Sequence, residues 1–554
     1  MKLFLACCTA IFLASACIPA RAAQAAAAAV PVRILVPVLD ATHHAVQQKA
    51  PDGKTYPVFR LAPSSPLVTK AAEVLRTGFA QQVLRLDRYA RNLLLWEHRQ
   101  QATAAAPPQR LTEPMALLMS TEEGGFARDG YWLEDAEGHR RLILAGYVDL
   151  VVNERSVADG DFDEIFSHEL GHLILRALVG PLPSGPSHTM HMSMAITDFP
   201  TAFDEGFAEQ FQPLSRDASD NPYIRRLMKG ASPTDLNLLW FSSRDEQLRT
   251  DGVKQNLFVH RKPLPAVALD AHPDLYRVFL EALTSPVFLP DELKNGQQMM
   301  ASEGVVSTLF YRIVNDEKLA GHYRPAEFYL RFLAPDQAPG DSEKLFSPYE
   351  NVNLKLFAAM HVLAAKPVEP SQPLLLDLVE AYDRLFPDEA APMNTLFLET
   401  TYGATASLPL ALAFERAAHD GGTGDIAAFR QSARPAISAL RETIAQVNAG
   451  NLSLHANLGP ELWLLNPDFK IAPAVWQTDR TVPFTLNLNT ATVADLMTIP
   501  GVDLSLARRI VAARHERGFF SRIDDLQPVV PAPVLAALHR MSDQMKHAAP
   551  YQRP

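Results

Sequence analysis

Cysteine is nearly missing from this sequence: Cys7, Cys8 and Cys17 are the three present in 554 residues. Removal of the segment that carries them leaves no thiol. That excludes a disulfide framework and Cys-based catalysis, and it leaves any metal site to His, Asp and Glu. Long apolar runs are also missing. The one at the start, Leu3 to Ala16, falls short of the roughly 20 residues that span a bilayer, and no later stretch approaches spanning length. Excess positive charge is absent as well. With 51 Lys and Arg against 62 Asp and Glu, the net charge is -11, which argues against an electrostatic nucleic-acid binder over the whole molecule, a local basic patch aside.

What is present at the N-terminus has the order of a secretory signal: Lys2, the apolar run, then Ala20-Arg21-Ala22, which suits signal peptidase. The expectation is an exported protein, periplasmic or secreted, with residues 1–22 removed and no transmembrane segment thereafter. Ala14-Ser15-Ala16-Cys17 fits a lipobox loosely, because Ala14 stands where a larger aliphatic residue is usual, so lipid anchoring at Cys17 is the lesser reading. The remaining chain, 47% hydrophobic and 20% charged overall, has an ordinary globular composition.

Periodicity predicts an α+β, predominantly helical fold. Ala71, Val74, Leu75, Phe79, Val83 and Leu86 recur at helical spacing and predict one helix over Val68–Arg99. The run from Arg141 to Val152 reads as one or two strands. A helix follows over Asp161–Leu178, with Asp161 and Asp163 as candidate N-caps and Gly180, Pro181 and Pro183 ending it. The divisions expected are an α/β part over 23–160, a metal-binding helical part over 161–330, a helical domain over 331–480 and a small all-α domain over 481–547.

The chemistry is carried by Ser167-His168-Glu169-Leu170-Gly171-His172. Two histidines four apart project from one helical face, so both imidazoles reach one zinc ion at about 2.0–2.1 Å. Glu169 sits beside the metal rather than on it, where it can take a proton from the activated water and pass it to the departing amine. The competing reading is an amphipathic core helix, which Phe162, Ile165, Phe166, Leu173 and Ile174 would also satisfy.

Downstream, Phe203-Asp204-Glu205-Gly206-Phe207-Ala208-Glu209 resembles the ligand helix of the glutamate-zincin, or gluzincin, metallopeptidases. The resemblance spans about Leu142 to Phe211 and implies Glu205 as third ligand of a Zn2+ site, with the fourth position left open for catalysis. It also implies Glu209 as the residue that orients a ligand histidine, and a Tyr or His opposite the metal, for which Tyr311 is the candidate. An extended peptide would pair with the strand around Ala145–Val152. Asp204 departs from the usual Asn. No Gly-x-Met-Glu-Asn segment is present, which favours an endopeptidase acting on a peptide or protein substrate over an aminopeptidase. His188 and His191 fall in the intervening loop, where the simpler reading is solvation.

Near the C-terminus, Leu486-Asn-Leu-Asn-Thr-Ala-Thr-Val-Ala-Asp-Leu-Met-Thr-Ile-Pro-Gly-Val502 resembles the helix-hairpin-helix module of bacterial competence DNA receptors. Thr492 and Asp495 form a capping box, and Pro500-Gly501 makes the turn. In that family a Gly-x-Gly turn presents backbone N–H groups to a phosphate; here Asp503 replaces the second glycine. The module's basic residues are nearly matched by acids, a poor counterion-releasing surface, so weak DNA or protein docking is the expectation. The alternative for the whole chain is an exported DNA-binding, DNA-uptake or envelope scaffold protein whose zincin-like domain is inactive.

Overall fold

A computed structural model describes residues 30–101, 106–121, 124–187, 191–225, 245–261, 289–334, 342–471 and 482–547. The export signal expected over 1–22 and His188 lie outside the described residues. The architecture is α+β and mainly helical. Among the described residues no helix is long and apolar enough to cross a membrane.

The N-terminal part holds one sheet. Its strands are β1 (Val32–Pro37), β2 (Gln47–Lys49), β3 (Thr55–Leu61), β4 (Met115–Ser120), β5 (Phe126–Glu134) and β6 (Arg140–Val151), in the order β1-β4-β6-β5-β3-β2. An antiparallel pairing of β1 with β3 closes it on itself. Alternation along the strands sends Met115, Leu117, Val148 and Leu150 into the helical core and Leu35, Phe59, Ala116, Leu118, Tyr131 and Tyr147 to the other face. At one end of that second face a cavity of about 590 Å³ is lined by Tyr56, Ser120, Arg128, Tyr147 and Asp149.

The interior place of β6 overturns the expected substrate edge. β6 pairs with β4 over Tyr147–Val151 on one side and with β5 over Arg140–Asp149 on the other. Over 147–149 its backbone is paired on both sides, and a further strand cannot add there.

The helix expected over Val68–Arg99 is two: α1 (Pro66–Thr77) and α2 (Ala80–Gln100). The break at Gly78-Phe79 has a cause in another element. Asp163 accepts from the backbone N–H groups of Phe79 at 2.9 Å and Ala80 at 2.7 Å, at the start of α2. Asp163 thus does not cap its own helix, α3 (Asp161–Val179), whose N-cap is Gly160 in the left-handed region at φ 96°. It fastens α3 to α2 instead.

The helices α4 (Phe199–Glu209), α5 (Phe211–Ala218) and α7 (Pro348–Leu363) pack around α3, and α6 (Glu303–Asn315) packs on α4. A single apolar core runs from Ala71 to Leu454 with no break near residue 330, so the two helical divisions expected there share one interior.

The C-terminal module has its own core, from Leu464 to Met541, and it is not all-α. β7 (Trp463–Ile471) and β8 (Val482–Asn487) pair antiparallel and supply Leu464, Phe484 and Leu486 to that core. The module's helices are α8 (Val493–Met497), α9 (Leu504–Arg517) and α10 (Ala532–His547). Asn295 and Gln298, just before α6, donate to the carbonyls of Asn489 at 3.0 Å and Thr490 at 2.9 Å, tying the module to the body.

Candidate metal centre

α3 carries His168 and His172 one turn apart, with their rings edge to face at a centroid separation of 4.9 Å. The helix is buried along most of its length. The helix bearing Glu205 approaches it closely because the contact points are glycines. A Cβ on Gly171 would lie 3.0 Å from the Ala208 Cα, and one on Gly206 would lie 2.5 Å from the Val306 Cβ and 2.7 Å from the Glu303 carbonyl oxygen. Gly206 thereby draws α4 onto α6, and α4 starts firmly: buried Asp198 caps it, accepting from Thr201 N–H at 2.9 Å.

Three donor atoms converge as a result. His168 Nε2 and His172 Nε2 are 3.3 Å apart. Glu205 Oε2 lies 3.8 Å from the first and 3.5 Å from the second. Donors about 2.0–2.1 Å from a tetrahedral zinc stand about 3.4 Å from one another, so the triad fits that ion without rearrangement. Two imidazole nitrogens facing each other at 3.3 Å beside a carboxylate also make chemical sense around a shared cation.

The two imidazoles differ in their electrostatics. Burial holds His168 well below the usual imidazole pKa, and the neighbouring His172 adds to this, so its lone pair is available to a metal. Burial alone would lower His172 too, but the carboxylates of Asp204 and Glu205 outweigh it and hold it well above that range. Asp204 Oδ1 lies 2.7 Å from His172 Nδ1, which fixes the tautomer and aims Nε2 at the triad.

Glu169, 7% exposed, is pushed up to about 7 by burial, with Glu205 adding to the rise. It lies among the triad's charges yet is not one of the converging donors.

Two further expectations meet a different arrangement. Glu209 accepts from the Ser193 hydroxyl and lies 3.5 Å from Arg249 Nε; the carboxylate on a ligand histidine is that of Asp204. Tyr311 is not brought to the triad. It lies two helical turns beyond Glu303 on α6, about 12 Å along the axis, and its hydroxyl donates to Asp217 Oδ2 at 2.8 Å. Burial and the Asp217 charge raise its pKa strongly.

His191, by contrast, stands at the site: its Nδ1 is 3.4 Å from Glu205 Oε2 and 3.5 Å from Glu303 Oε2. Sequence reasoning missed Glu303 altogether, since one acidic residue at a helix start carries no local signal of a site. A third cluster, Asp135, Glu137 and His139, is exposed and has a structural explanation. Asp135 Oδ1 accepts from the backbone of Glu137 and His139 and closes the β5–β6 turn.

In the C-terminal module the capping box forms: Thr492 Oγ1 accepts from Asp495 N–H and Asp495 Oδ2 from Thr492 N–H. Gly501 turns at φ 83°. Asp503 caps α9, accepting from Leu506 N–H at 2.8 Å, so its carboxylate occupies the helix N-terminus that a phosphate would need. Arg514 is buried and donates to the carbonyls of Leu488 and Ala491.

Comparison with known proteins matches residues 485–530 to the helix-hairpin-helix motif family. No curated protein and no solved structure matches the chain.

Proposed function

We propose that this protein is an exported zinc-dependent peptidase that cleaves within polypeptide chains. The observation that carries the reading is the convergence of His168 Nε2, His172 Nε2 and Glu205 Oε2 at 3.3, 3.5 and 3.8 Å. A zinc ion held by these three supplies a Lewis acid that polarises a carbonyl and lowers the pKa of water toward about 7.

The chain's own residues supply the remainder. Asp204 holds the His172 ring in one orientation. Glu169, with a pKa of about 7 in its buried setting, takes a proton from the attacking water and returns it to the leaving amine. The absence of a Gly-x-Met-Glu-Asn amino-terminus-binding segment favours an endopeptidase.

The test is metal analysis joined to one substitution. The purified protein is expected to retain zinc and to cleave a denatured protein. Glu169→Gln is expected to retain the metal and lose cleavage by roughly 10²–10⁴-fold; undiminished cleavage by this variant sinks the mechanism.

A second reading, nucleic-acid contact, has the helix-hairpin-helix match at 485–530 in its favour. Asp503 and the pairing of Arg517 and Arg522 with Asp525 weigh against a phosphate-binding surface. Docking to another protein is the better role for the module.

A further inference from the structure

We propose that the centre is binuclear: a second divalent cation is bound by His191, Glu303 and Glu205, with Glu205 as the bridging carboxylate. The inference rests on the zinc reading of the first triad and adds to it.

His191 Nδ1, a Glu205 oxygen and a Glu303 oxygen all lie within 4.8 Å of one another. Two edges of this triangle, 3.4 Å to Glu205 Oε2 and 3.5 Å to Glu303 Oε2, repeat those of the first triad and again match donors about 2.1 Å from one ion. They are longer than a charge-assisted N–H···O bond, about 2.7–2.9 Å, and a single Nδ1–H can serve one carboxylate, not two held at nearly equal distance.

The second observation is Glu303 itself. It is 6% exposed, and among the described residues its Oε2 has no hydrogen-bond partner. A buried carboxylate oxygen in that state is costly unless a cation faces it. The nearby cationic group is Lys294, but its ammonium donates to Ser302 Oγ at 2.7 Å and to the Met194 carbonyl at 3.2 Å. Glu205 and Glu303 thus bring two buried carboxylates to one imidazole.

The scaffold holds the donors in register. The segment after His191 is strapped to the start of α6, with Gly304 N–H donating to the Ser193 carbonyl at 3.1 Å and Thr197 N–H to the Ala301 carbonyl at 2.7 Å. His191 and Glu303 are thereby fixed face to face. Because Glu205 Oε2 belongs to both sets, two cations each about 2.1 Å from it stand no more than about 4.2 Å apart, close to the 3.5–4 Å of two-metal hydrolases.

The experiment is a Co2+ titration of the metal-free full-length protein, read by visible absorption and by metal analysis after gel filtration. Two equivalents are expected for the wild type, and one for each of Glu303→Gln and His191→Ala. The first-bound equivalent should keep its spectrum, since neither residue belongs to the His168-His172-Glu205 set. His191 is half exposed, so its variant guards against misfolding of the buried Glu303 variant, and the wild-type count stands without either. One equivalent in the wild type overturns the second site and leaves the first intact. Two equivalents that survive both substitutions also overturn it, and none at all overturns both readings.

Discussion

Asp204 Oδ1 and His172 Nδ1 stand 2.7 Å apart, joining α4 to α3 through the ring that presents its other nitrogen to His168 and Glu205, the proposed metal ligands. A carboxylate in this position orients the ligand and raises its basicity. Asp204→Ala is therefore expected to lower zinc affinity by roughly 10–100-fold while leaving the three donors in place. Asp204→Asn, which keeps an acceptor but not the charge, should fall between. Competition against a chromogenic zinc chelator measures both, and unchanged affinity in Asp204→Ala would show that the pair is structural only.

In the proposed mechanism Glu169 sets the pH dependence. Its carboxyl is pushed up to about 7 by burial and by the charge of Glu205, and a bound cation opposes that rise. The acid limb of kcat/KM should therefore lie between the ordinary 4.5 and about 7, with activity rising with pH as the base ionises. The stability of the metal-free protein runs the other way. A carboxyl whose folded pKa is raised favours folding fully below about 4.5 and loses that contribution as pH rises through about 7. Denaturant titrations of the metal-free wild type and Glu169→Gln across this window should converge at low pH and separate above it.

Gly206 is where the ligand helix meets α6. A Cβ there would lie 2.5 Å from the Val306 Cβ and 2.7 Å from the Glu303 carbonyl oxygen, with no flexible side-chain end to yield. Gly206→Ala is expected to cost about 1–3 kcal/mol through overpacking and to weaken zinc binding by displacing Glu205. Urea unfolding and zinc titration of the same variant check the two effects together.

How much of this was legible in the sequence follows from how local each relationship is. His168, Glu169 and His172 were readable because four residues make one turn of helix, whatever surrounds it. Glu205 was readable through its sequence context. Whether Asp204 or Glu209 meets a histidine depends on how α4 lies across α3, and that angle is set by Gly171, Gly206 and their contacts elsewhere in the chain. The same holds for Tyr311, whose facing partner, Asp217, comes from another helix. The pairing of β6 with β4, far earlier in the chain, is likewise nonlocal, and with β5 on the other side it removed the edge that the apolar run of β6 suggested. His191 and Glu303 meet only because a loop is strapped to a distant helix start.

Glu164 on α3 and Arg216 on α5 form an ion pair at 2.6 Å with side chains 2% and 1% exposed. Gln212 donates to Glu164 as well, at 3.1 Å. Removing one partner strands a buried charge, so Arg216→Met is expected to destabilise by about 3–5 kcal/mol. Glu164→Leu combined with Arg216→Met should recover most of that loss, because both desolvation penalties then vanish. Thermal or chemical denaturation of the single and double variants decides it, and additive losses would contradict the buried-pair account.

Asp503 offers a test of why the C-terminal module should bind DNA poorly despite its helix-hairpin-helix pattern. Its carboxylate accepts from Leu506 N–H and so places negative charge at the α9 N-terminus, where the family's phosphate contact would form. Asp503→Gly frees those N–H groups, and an N-cap change to Gly costs only a few tenths of a kcal/mol, so the fold should persist. The full-length variant is expected to bind duplex DNA more tightly than the wild type, with a steeper dependence on salt by about one phosphate contact. Fluorescence anisotropy at two salt concentrations reads both quantities. If the variant and the wild type are indistinguishable, Asp503 is not what keeps phosphate away, and the charge balance of the whole module is the stronger barrier.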